Sequence, residues 1–454
     1  MMKNLIQKYN VAGPRYTSYP TVPYWNSDSF SFEEYRQRLK TSFRESNDKE
    51  GISLYIHLPF CESLCTFCGC NKRITRRHEV ESPYIAAVLH EWELYVRLLE
   101  KRPIIREIHL GGGTPTFFKP ENLLILINGL FEFADRAAEW DFSFEGHPNN
   151  TTEEHLQALY EVGFRRVSFG VQDYNLVVQQ AIHRFQPFAN VKRVTESARR
   201  IGYTSVSHDL IFGLPFQTVD HVKATIEKTK ELMPDRIAFY SYAHVPWIKG
   251  NGQRGFKEED LPTPDVKRLM YENGKLAFEK AGYIEIGMDH FALESDSMYK
   301  AMGNGKLHRN FMGYTSSKTQ VMIGLGVSAI SDCWSGFAQN VKTIEEYYEL
   351  LENDEIPVYR GHILTEEDKI IRKHILNLMC NLETSWTEES GYFKEVPDVL
   401  VSLKEMAADG LIEIGSNLVK IKESGRPYVR NVCMAFDVLL QRHQPETQLF
   451  SMTI

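Results

Sequence analysis

Residues Cys61 to Cys70 read CESLCTFCGC and follow the mostly apolar run SLYIHLP at residues 53–59. The stretch contains four of the seven cysteines of the chain. Its first three cysteines have the spacing C-x3-C-x2-C, which allows one short loop to place three thiolates around a single iron–sulfur cluster. A cubane cluster held in this way keeps one iron without a protein ligand, where a reactant can bind. The spacing therefore predicts a catalytic cluster site on Cys61, Cys65 and Cys68.

Two other uses of clustered cysteines fit this stretch less well. Structural zinc sites commonly take two ligand pairs separated by a dozen or more residues, whereas this run is continuous. A disulfide framework is disfavoured because seven cysteines in 454 residues are sparse and no secretory signal precedes them. Cys70 lies outside the three-ligand spacing, and its role stays open. We expect the remaining cysteines to be small buried hydrophobic residues, namely Cys333, Cys380 and Cys433.

The composition is that of an ordinary globular protein with more than one structural unit. The 454 residues are 43% hydrophobic and 25% charged, and this length exceeds what one hydrophobic core normally serves. The net charge of −8 argues against nonspecific binding to nucleic acid. We recognise neither an export signal nor an apolar run long enough to cross a bilayer. We therefore expect a cytoplasmic protein without a membrane span.

Short apolar runs alternate with amphipathic segments through the first half of the chain. The apolar runs lie at 54–58, 107–110, 141–144, 166–171, 205–211 and 236–242. The helix-like segments lie at about 83–101, 120–134, 152–162, 188–201 and 218–232. Six βα units in succession predict an α/β fold whose parallel sheet curls into a full or partial TIM-like barrel.

Glycines and polar residues recur where the predicted strands end. After the cysteine loop they are Gly111-Gly112-Gly113-Thr114, Glu145, Gln172 with Asp173, Asp209, and Ala243 with His244. Because barrel enzymes gather their chemistry at the carboxyl ends of the strands, we expect these residues to share one site with the cysteines. The glycines would let the backbone approach a ligand closely, although a tight turn also explains them. Glu145 could bind ribose hydroxyls or an ammonium group, or could be satisfied within the barrel.

Motifs beyond the cysteines extend along nearly the whole chain. They read AGPRYTSYP at 12–20, YIHLPFC at 55–61, FCGCNK at 67–72, GGGTPT at 111–116, FGVQD at 169–173, DLIFGLP at 209–215, GMDHF at 287–291, HRNF at 308–311 and RNVCM at 430–434. This set resembles the oxygen-independent coproporphyrinogen III oxidases, a family of radical S-adenosylmethionine (SAM) enzymes. The resemblance implies a partial (β/α)6 radical SAM barrel.

We predict three parts of the chain around this barrel. An N-terminal arm rich in tyrosine and proline occupies residues 1–35, and the catalytic barrel occupies residues 36–363. A small, mostly helical domain follows at residues 364–454. It combines the helical periodicity of residues 366–378 with a strand-like stretch at 417–422. This last domain could cover the barrel as a lid.

The resemblance implies one 4Fe–4S cluster on Cys61, Cys65 and Cys68, together with two SAM molecules side by side. Positions that match the family contacts to the first molecule are Tyr55, Gly112, Glu145, Ala243 and Ile330. Those that match the contacts to the second molecule are Phe67, Gly113, Thr114, Gln172, Arg184 and Asp209. One position departs from the pattern we expect, because His147 stands where relatives should have an aspartate. At that position the sequence does not indicate which groups form the hydrogen bonds that support Glu145.

The implied reaction is the anaerobic oxidative decarboxylation of two propionate groups of coproporphyrinogen III to vinyl groups, giving protoporphyrinogen IX in heme biosynthesis. A deoxyadenosyl radical would remove hydrogen from the propionate chain, so oxygen is not needed. A substrate with four carboxylates calls for cationic or hydrogen-bonding partners, and our candidates are Arg15, Tyr16, His308 and Arg309. Two alternatives stay open: a heme-binding chaperone of the same superfamily, and a radical methyltransferase or ring-opening enzyme acting on a tetrapyrrole.

A basic patch directly follows the cysteines and consists of Lys72, Arg73, Arg76 and Arg77. It could steer an acidic one-electron donor of the flavodoxin or ferredoxin type toward the cluster. A solvated charged loop would explain the same residues. We expect the protein to act as a monomer.

Overall fold

The computed structural model describes residues 2–247, 252–253, 255–443, 445, 447 and 449–453. The helices within these residues are α1 Met2–Tyr9, α2 Phe32–Glu50, α3 Glu81–Leu99, α4 Pro120–Glu132, α5 Glu153–Glu161, α6 Leu176–Ala181, α7 Phe188–Ile201, α8 Val219–Leu232, α9 Pro264–Lys280, α10 Ser297–Gly303, α11 Ile344–Glu352, α12 Glu366–Asn381, α13 Val396–Ala408, α14 Val429–Phe436 and α15 Val438–Arg442. Short 3-10 helices lie at Val22–Tyr24, His78–Val80, Pro115–Phe117, Glu258–Asp260 and Glu423–Tyr428. None of the helices described here is both long enough and apolar enough to span a membrane.

The part of the chain that the structure describes also contains the following strands. They are β1 Ile52–Leu58, β2 Phe60–Cys61, β3 Arg73–Ile74, β4 Ile104–Gly112, β5 Asp135–Gly146, β6 Arg166–Gln172, β7 Ser205–Phe212, β8 Arg236–Ser241, β9 Ile284–Gly287, β10 His290–Ala292, β11 His308–Asn310, β12 Gly313–Thr315, β13 Met322–Leu325, β14 Ile330–Asp332, β15 Gly336–Asn340, β16 Val358–Ile363, β17 Glu383–Ser385, β18 Ile412–Ile414 and β19 Leu418–Ile421.

A single large sheet carries the site. Its strand order is β16-β15-β14-β13-β1-β4-β5-β6-β7-β8-β10-β9. The six strands from β1 to β8 in this order pair in parallel, as expected from the repeated βα units. The prediction of an α/β fold with six βα units is therefore confirmed. The two outermost strands, β16 and β9, do not pair with each other in the described residues, so the sheet is open and the barrel is partial.

Both edges of this sheet extend beyond the six predicted strands. β13 adds in parallel to β1, and β14, β15 and β16 continue from it in antiparallel pairing. At the other edge β10 pairs antiparallel to β8, and β9 pairs antiparallel to β10. These additional strands have only three to six residues each, too few to show a clear period in the sequence.

Successive side chains of the central strands point alternately to the hydrophobic core and to the interior of the barrel. Leu54, Ile56 and Leu58 of β1 are fully buried in a cluster shared with the surrounding helices. The intervening residues Tyr55 and His57 point to the other face because successive side chains of a strand alternate. The predicted strands thus supply apolar residues to the helix layer and polar residues to the inside of the barrel.

Ion pairs fill the end of the barrel opposite the cysteines. Asp141 accepts a hydrogen bond of 2.5 Å from Arg166 Nε, and Asp296 accepts one of 2.7 Å from Arg236 Nε. Burial raises the pKa of Glu107, whose carboxyl accepts hydrogen bonds from two hydroxyl groups, those of Ser53 and Thr315. Because every one of these buried charged groups has a partner, the network closes this end of the barrel at a limited energetic cost.

The N-terminal residues and the C-terminal helices pack on each other. Arg430 of α14 donates hydrogen bonds to the carbonyl oxygens of Pro14, at 2.8 Å, and Met452, at 2.9 Å. The C-terminal part is mostly helical but contains a small sheet in the order β17-β19-β18. The predicted helix at 366–378 lies in α12, and the strand-like stretch at 417–422 contains β19. The domain boundaries at residues 35 and 363 stay a prediction.

Candidate active site

The cysteine loop is closed at its base by a short parallel pair of strands. β2, which ends at Cys61, pairs with β3. Arg73 N donates to Pro59 O at 2.8 Å, and Thr75 N donates to Cys61 O at 2.9 Å. Within the loop, Cys68 N donates to Cys65 O at 3.2 Å. The cysteines therefore lie on a loop whose two ends are held together by main-chain hydrogen bonds.

Three further hydrogen bonds, two of Thr66 and one of His57, attach this loop to the barrel. Thr66 donates from both its main-chain N and its hydroxyl to carbonyl oxygens at the end of α6, at 3.1 and 2.9 Å. On the opposite side, His57 Nε2 lies 2.8 Å from Asn71 O. His57 had not been singled out in the sequence. Its position two residues after Tyr55, on the same face of β1, is the signal that could have identified it.

Cys61, Cys65 and Cys68 line one cavity of about 420 Å³. Within the described residues, no three Cys, His, Asp or Glu side chains approach closely enough to hold a single metal ion. In a cubane cluster each thiolate binds a different iron, so three thiols spaced around one cavity suit a cluster. The donor set therefore fits the implied 4Fe–4S group.

The three thiols have different electrostatic surroundings. Burial raises the pKa of Cys61 to about 11, although the Thr114 hydroxyl lies 3.3 Å from its sulfur. A hydrogen bond with Cys70 lowers the pKa of Cys68 to about 6 and raises the pKa of Cys70. Arg184 Nη1 lies 3.8 Å from Cys65 Sγ. Cys70 thus contacts one predicted ligand without having ligand spacing itself.

Three positions matched to the first SAM molecule meet inside the barrel. Tyr55 stacks against His109 with a ring separation of 6.1 Å, and His109 Nε2 lies 3.5 Å from Glu145 Oε1. A Cβ built on Gly111 would lie 3.1 Å from the Tyr55 ring and 3.3 Å from Glu145 Oε1. The Glu145 side chain is 48% exposed, so its carboxylate is accessible from inside the barrel. Gly112 follows directly at the end of β4.

The other two positions matched to the first SAM molecule, Ala243 and Ile330, lie nearer the two edges of the sheet. Ala243 follows β8, and Gln253 Nε2 donates both to Ala243 O at 3.1 Å and to Phe67 O at 3.0 Å. Ile330 begins β14 and is separated from Tyr55 by β13 alone, since Tyr55 pairs with Gly324. The structure thus places Ala243 beside the cysteine loop and Ile330 beyond the opposite edge of β1.

The triple glycine has a packing reason independent of any ligand. Gly112 has φ +112°, and a Cβ there would lie 2.7 Å from the His57 ring. A Cβ on Gly113 would lie 2.6 Å from the main chain of Pro59. Gly113 N donates to Leu58 O at 2.8 Å. Glycine at these positions lets the end of β4 lie directly against the segment that leads into Cys61.

The positions matched to the second SAM molecule line the cysteine cavity or lie on β6 and β7. Phe67, Gly113, Thr114 and Arg184 line the cavity together with the cysteines. Arg184 Nη2 donates to Gly170 O at 2.6 Å, while Arg184 Nε is buried without a hydrogen-bond partner in the described part of the chain. A buried, unpaired guanidinium nitrogen is suited to an anionic group of a ligand.

Gln172 and Asp209 lie next to this arginine. A Cβ on Gly170 would lie 2.6 Å from Gln172 Nε2 and 2.8 Å from Arg184 Nη2, and Gly170 pairs with Asp209 across the strands. Burial raises the pKa of Asp209 to about 7, and its carboxyl accepts a hydrogen bond of 2.7 Å from Ser168. The sequence-predicted residues of the second set are therefore brought together.

The four substrate candidates do not form a single group. Arg309 donates to the carbonyl oxygens of Tyr16, at 3.2 Å, and Arg15, at 3.4 Å, so it holds the main chain of the N-terminal arm. The Tyr16 hydroxyl is buried and donates to Asp437 Oδ2 at 3.0 Å. His308 lines a different cavity of about 450 Å³, near Lys49 and Lys306. Arg15 reaches the end of β8, where Nη2 donates to Ser241 O at 2.8 Å.

His147, the residue that departs from the expected pattern, lines the cysteine cavity. Burial and the nearby Arg184 hold the pKa of His147 well below its usual value, so its imidazole is neutral. Its Nδ1 accepts a hydrogen bond of 3.2 Å from Asn149 N. The imidazole thus stabilises the turn after β5 instead of placing a charge in the cavity.

Comparisons with known proteins agree with this geometry. A family model of the radical SAM superfamily matches residues 55–229. The chain is 37% identical over 445 residues to an oxygen-independent coproporphyrinogen III oxidase of Pseudomonas aeruginosa, with 96% of this chain and 95% of the relative covered. It is 37% identical over 458 residues to the Escherichia coli K12 protein of the same name, with 99% and 98% covered.

The fold also matches a solved structure. The coproporphyrinogen III oxidase of Escherichia coli, described as a radical SAM enzyme, superimposes with a TM-score of 0.87 at 35% sequence identity. The match covers 93% of this chain and 97% of that structure. The strands and the loop described above therefore have the arrangement of a radical SAM fold.

Proposed function

This chain belongs to the oxygen-independent coproporphyrinogen III oxidases of the radical SAM superfamily, and we propose that the cavity beside Cys61, Cys65 and Cys68 is its active site. Its function is the anaerobic oxidative decarboxylation of two propionate groups of coproporphyrinogen III, which gives protoporphyrinogen IX in heme biosynthesis. The superfamily uses a 4Fe–4S cluster and SAM. The observation that carries the location of the site is the convergence of three cysteine thiols on one cavity.

When bound, the cluster and SAM supply a deoxyadenosyl radical that removes a hydrogen atom from a propionate chain. The residues of the chain hold and orient these groups. His57 and Thr66 fix the two sides of the cysteine loop, so the three thiolates keep their positions. Glu145 offers an accessible carboxylate to ribose hydroxyls or an ammonium group. Tyr55, whose pKa burial raises well above its usual value, remains a neutral phenol beside it.

We propose that the cavity region binds two SAM molecules. Tyr55, Gly112, Glu145, Ala243 and Ile330 would contact the molecule on the cluster. Phe67, Gly113, Thr114, Gln172, Arg184 and Asp209 would contact the second molecule. The proposal is supported by the two separate groups of side chains, one around Glu145 and one around Arg184. The unpaired Arg184 Nε would receive the carboxylate of the second molecule.

Binding of the second SAM molecule should depend on pH through Asp209. The carboxyl has a pKa of about 7 in the folded protein, because burial favours its neutral form. A cationic ligand favours the carboxylate, so we expect its affinity to rise as pH increases through about 7. Calorimetric titration of the cluster-loaded protein with SAM between pH 6 and pH 8 checks this. Asp209→Asn should remove the pH dependence, and an unchanged pH profile in that variant would contradict the assignment.

An anaerobic assay tests the reaction and separates it from the two alternatives. The protein with reconstituted cluster is mixed with SAM, a reductant and coproporphyrinogen III, and the oxidised porphyrins are resolved by chromatography. A product with two carboxyl groups that requires SAM supports the oxidase. Methylated or ring-opened products would favour the other tetrapyrrole chemistry. Untouched substrate with continued SAM cleavage, together with tight binding in a hemin titration, would favour a heme chaperone.

We propose that an acidic one-electron donor of the flavodoxin or ferredoxin type docks near the cysteines. Arg76 and Arg77 support this, since their side chains are exposed and have no ion pair in the described part of the chain. Arg73 instead pairs with Glu345 at 3.1 Å, and Lys72 donates to the carbonyl oxygens of Cys68 and Cys70. As far as the structure describes the chain, Arg76 and Arg77 are thus the members of the basic patch whose charged groups are available to a partner.

Replacing Arg76 and Arg77 with serine should slow cluster reduction by a flavodoxin about tenfold at low salt, because electrostatic steering is lost. Reduction by dithionite should not change. Stopped-flow absorbance of the cluster measures both rates. The matched control replaces Lys394 and Lys404, two exposed lysines of the C-terminal part, with serine. Equal slowing by both reductants, or by the control, would reject the docking site.

We also propose that the protein is a cytoplasmic monomer. The charged composition of the chain and its net charge of −8 support a monomer, because like net charges repel each other. Light scattering of the purified protein after size-exclusion chromatography should give the mass of one chain. A mass of two chains at micromolar concentration would reject the proposal.

A further inference from the structure

A small cavity lies at the carboxyl end of β8, where the N-terminal arm and the C-terminal helices meet the barrel. Its volume is about 60 Å³, far below the roughly 300–1,000 Å³ of a site that encloses a whole small molecule. Its polar lining includes Arg15, Lys267, Arg430 and Asp289. Such a space admits a group of a few atoms, such as a carboxylate, but not a macrocycle.

The cavity has an excess of positive charge. Among the residues that the structure describes, five cationic side chains line it, against the two carboxylates of Glu285 and Asp289. Glu285 is already engaged by Tyr271, at 2.5 Å, and by Lys275, at 2.7 Å. Asp289 Oδ2 lies 3.5 Å from Arg15 Nη1. A cavity that has little exposure to solvent and more positive than negative side chains favours the binding of an anion.

Most of these cations have a structural task. Arg430 donates to main-chain carbonyl oxygens of the arm and the C-terminal segment. Arg426 lies 3.5 Å from Glu285 and 2.9 Å from Glu423. Arg268 pairs with Glu272 one helical turn away. These three arginines are therefore occupied, whereas Lys267 is not.

Lys267 has unused hydrogen-bonding capacity. Its ammonium donates one hydrogen bond, to Tyr242 O at 3.1 Å, and has no carboxylate within 4.0 Å in the described residues. An ammonium group has three donors. Gly213 makes room for the side chain, because a Cβ there would lie 2.7 Å from Lys267 Cε. The ammonium is thus held at the cavity without an ion pair to any carboxylate that the structure describes.

We propose that Lys267 and Arg15 bind one carboxylate of the tetrapyrrole substrate, so that this cavity is a propionate subsite. The inference rests on the proposed function. Ser241, to which Arg15 is bonded, lies at the same carboxyl end of the sheet as the cysteine loop. A substrate lying across that end can place one arm here while another reaches the cysteine cavity. The arm held here is a propionate that is not decarboxylated, because it is kept apart from the group that reacts.

The test replaces Lys267 with glutamine and measures binding of coproporphyrin III, the stable oxidised form, by absorbance titration of the cluster-loaded protein. A charge-assisted hydrogen bond is lost, so the Kd should increase about tenfold. The KM for coproporphyrinogen should increase by a similar factor, while iron content and SAM binding stay unchanged. Lys280→Gln, at the exposed end of the same helix, is the matched control and should bind as the unmodified protein does.

A second ligand separates a lost carboxylate contact from a general disturbance. Coproporphyrin III tetramethyl ester keeps the macrocycle but has no carboxylates, so Lys267→Gln and the unmodified protein should bind it equally. Lys267→Met, which keeps an apolar stem, replaces the glutamine variant if that variant does not fold. A Kd for coproporphyrin III within twofold of the unmodified protein would overturn the subsite. If the unmodified protein binds coproporphyrin III but forms no divinyl product, the proposed function fails, and the binding comparison still decides the subsite.

Discussion

Replacing Cys65 with alanine is expected to remove the iron–sulfur cluster and to abolish porphyrinogen decarboxylation together. Cys65 is one of three thiols that line the cysteine cavity, and Arg184 Nη1 lies 3.8 Å from its sulfur. With two thiolates left, the loop cannot hold a cubane that needs three protein ligands. Iron analysis, the cluster absorbance and deoxyadenosine formation measure the loss directly.

Cys70→Ser is the matched control for this variant. Cys70 lies in the same loop and contacts Cys68 but has no ligand spacing, so we expect the iron content to be retained. Circular dichroism should show the same helical content in both variants, since neither sulfur belongs to the hydrophobic core. A Cys65→Ala protein that still cleaves SAM would disprove the cluster assignment.

Gly113→Ala should reduce SAM cleavage by at least about 10²-fold, since displacements of about 1 Å at an active site have costs of this size. The new Cβ would lie 2.6 Å from both the carbon and the oxygen of the Pro59 carbonyl and 2.9 Å from Phe60 O. These are main-chain atoms, which cannot rotate away. The end of β4 must therefore shift, and Thr114 moves away from Cys61.

Gly69→Ala provides the control, because a Cβ at that position in the cysteine loop would have no atom within 4 Å from any described residue other than its two chain neighbours. We expect it to keep both iron and activity near the level of the unmodified protein. Deoxyadenosine formation and SAM binding by calorimetry compare the two variants. Equal activity of Gly113→Ala and Gly69→Ala would mean that the contact between β4 and the cysteine segment is not required.

The repeated part of the fold was predictable because its signals are local. Each central strand is an apolar run buried on at least one face, and each connecting helix has its own period, as in α5 and α8, which begin after the capping residues Thr152 and Thr218. The edge strands were missed for the opposite reason. β10 has three residues and acquires its identity from pairing with β8, which is distant in the chain.

The site was predictable to a similar degree. Cysteine spacing and the phase of polar residues along the strands predicted that the cysteines and the residues at the strand ends share one site, and the family resemblance supplied the two sets of proposed SAM contacts. His57 and Lys267 were missed because a histidine within a strand and a lysine on a helix have no distinctive pattern. The substrate candidates show most clearly that closeness in sequence does not predict a shared site. His308 and Arg309 are adjacent in sequence, but one faces a separate cavity and the other holds the N-terminal arm.

By itself the sequence determined the succession of βα units, the spacing of the three cysteines and the family to which the chain belongs, because the units and the cysteine motif are local patterns and the family is marked by short motifs along nearly the whole chain. The tertiary structure decided which distant residues meet. It placed Arg184 against Cys65 and brought Arg15 to the end of β8 beside Lys267. Among the described residues it also left Lys267 without an ion-pair partner, while the neighbouring Arg268 and Arg426 were paired. Such contacts depend on how strands, arm and C-terminal helices pack, and no local pattern encodes that packing.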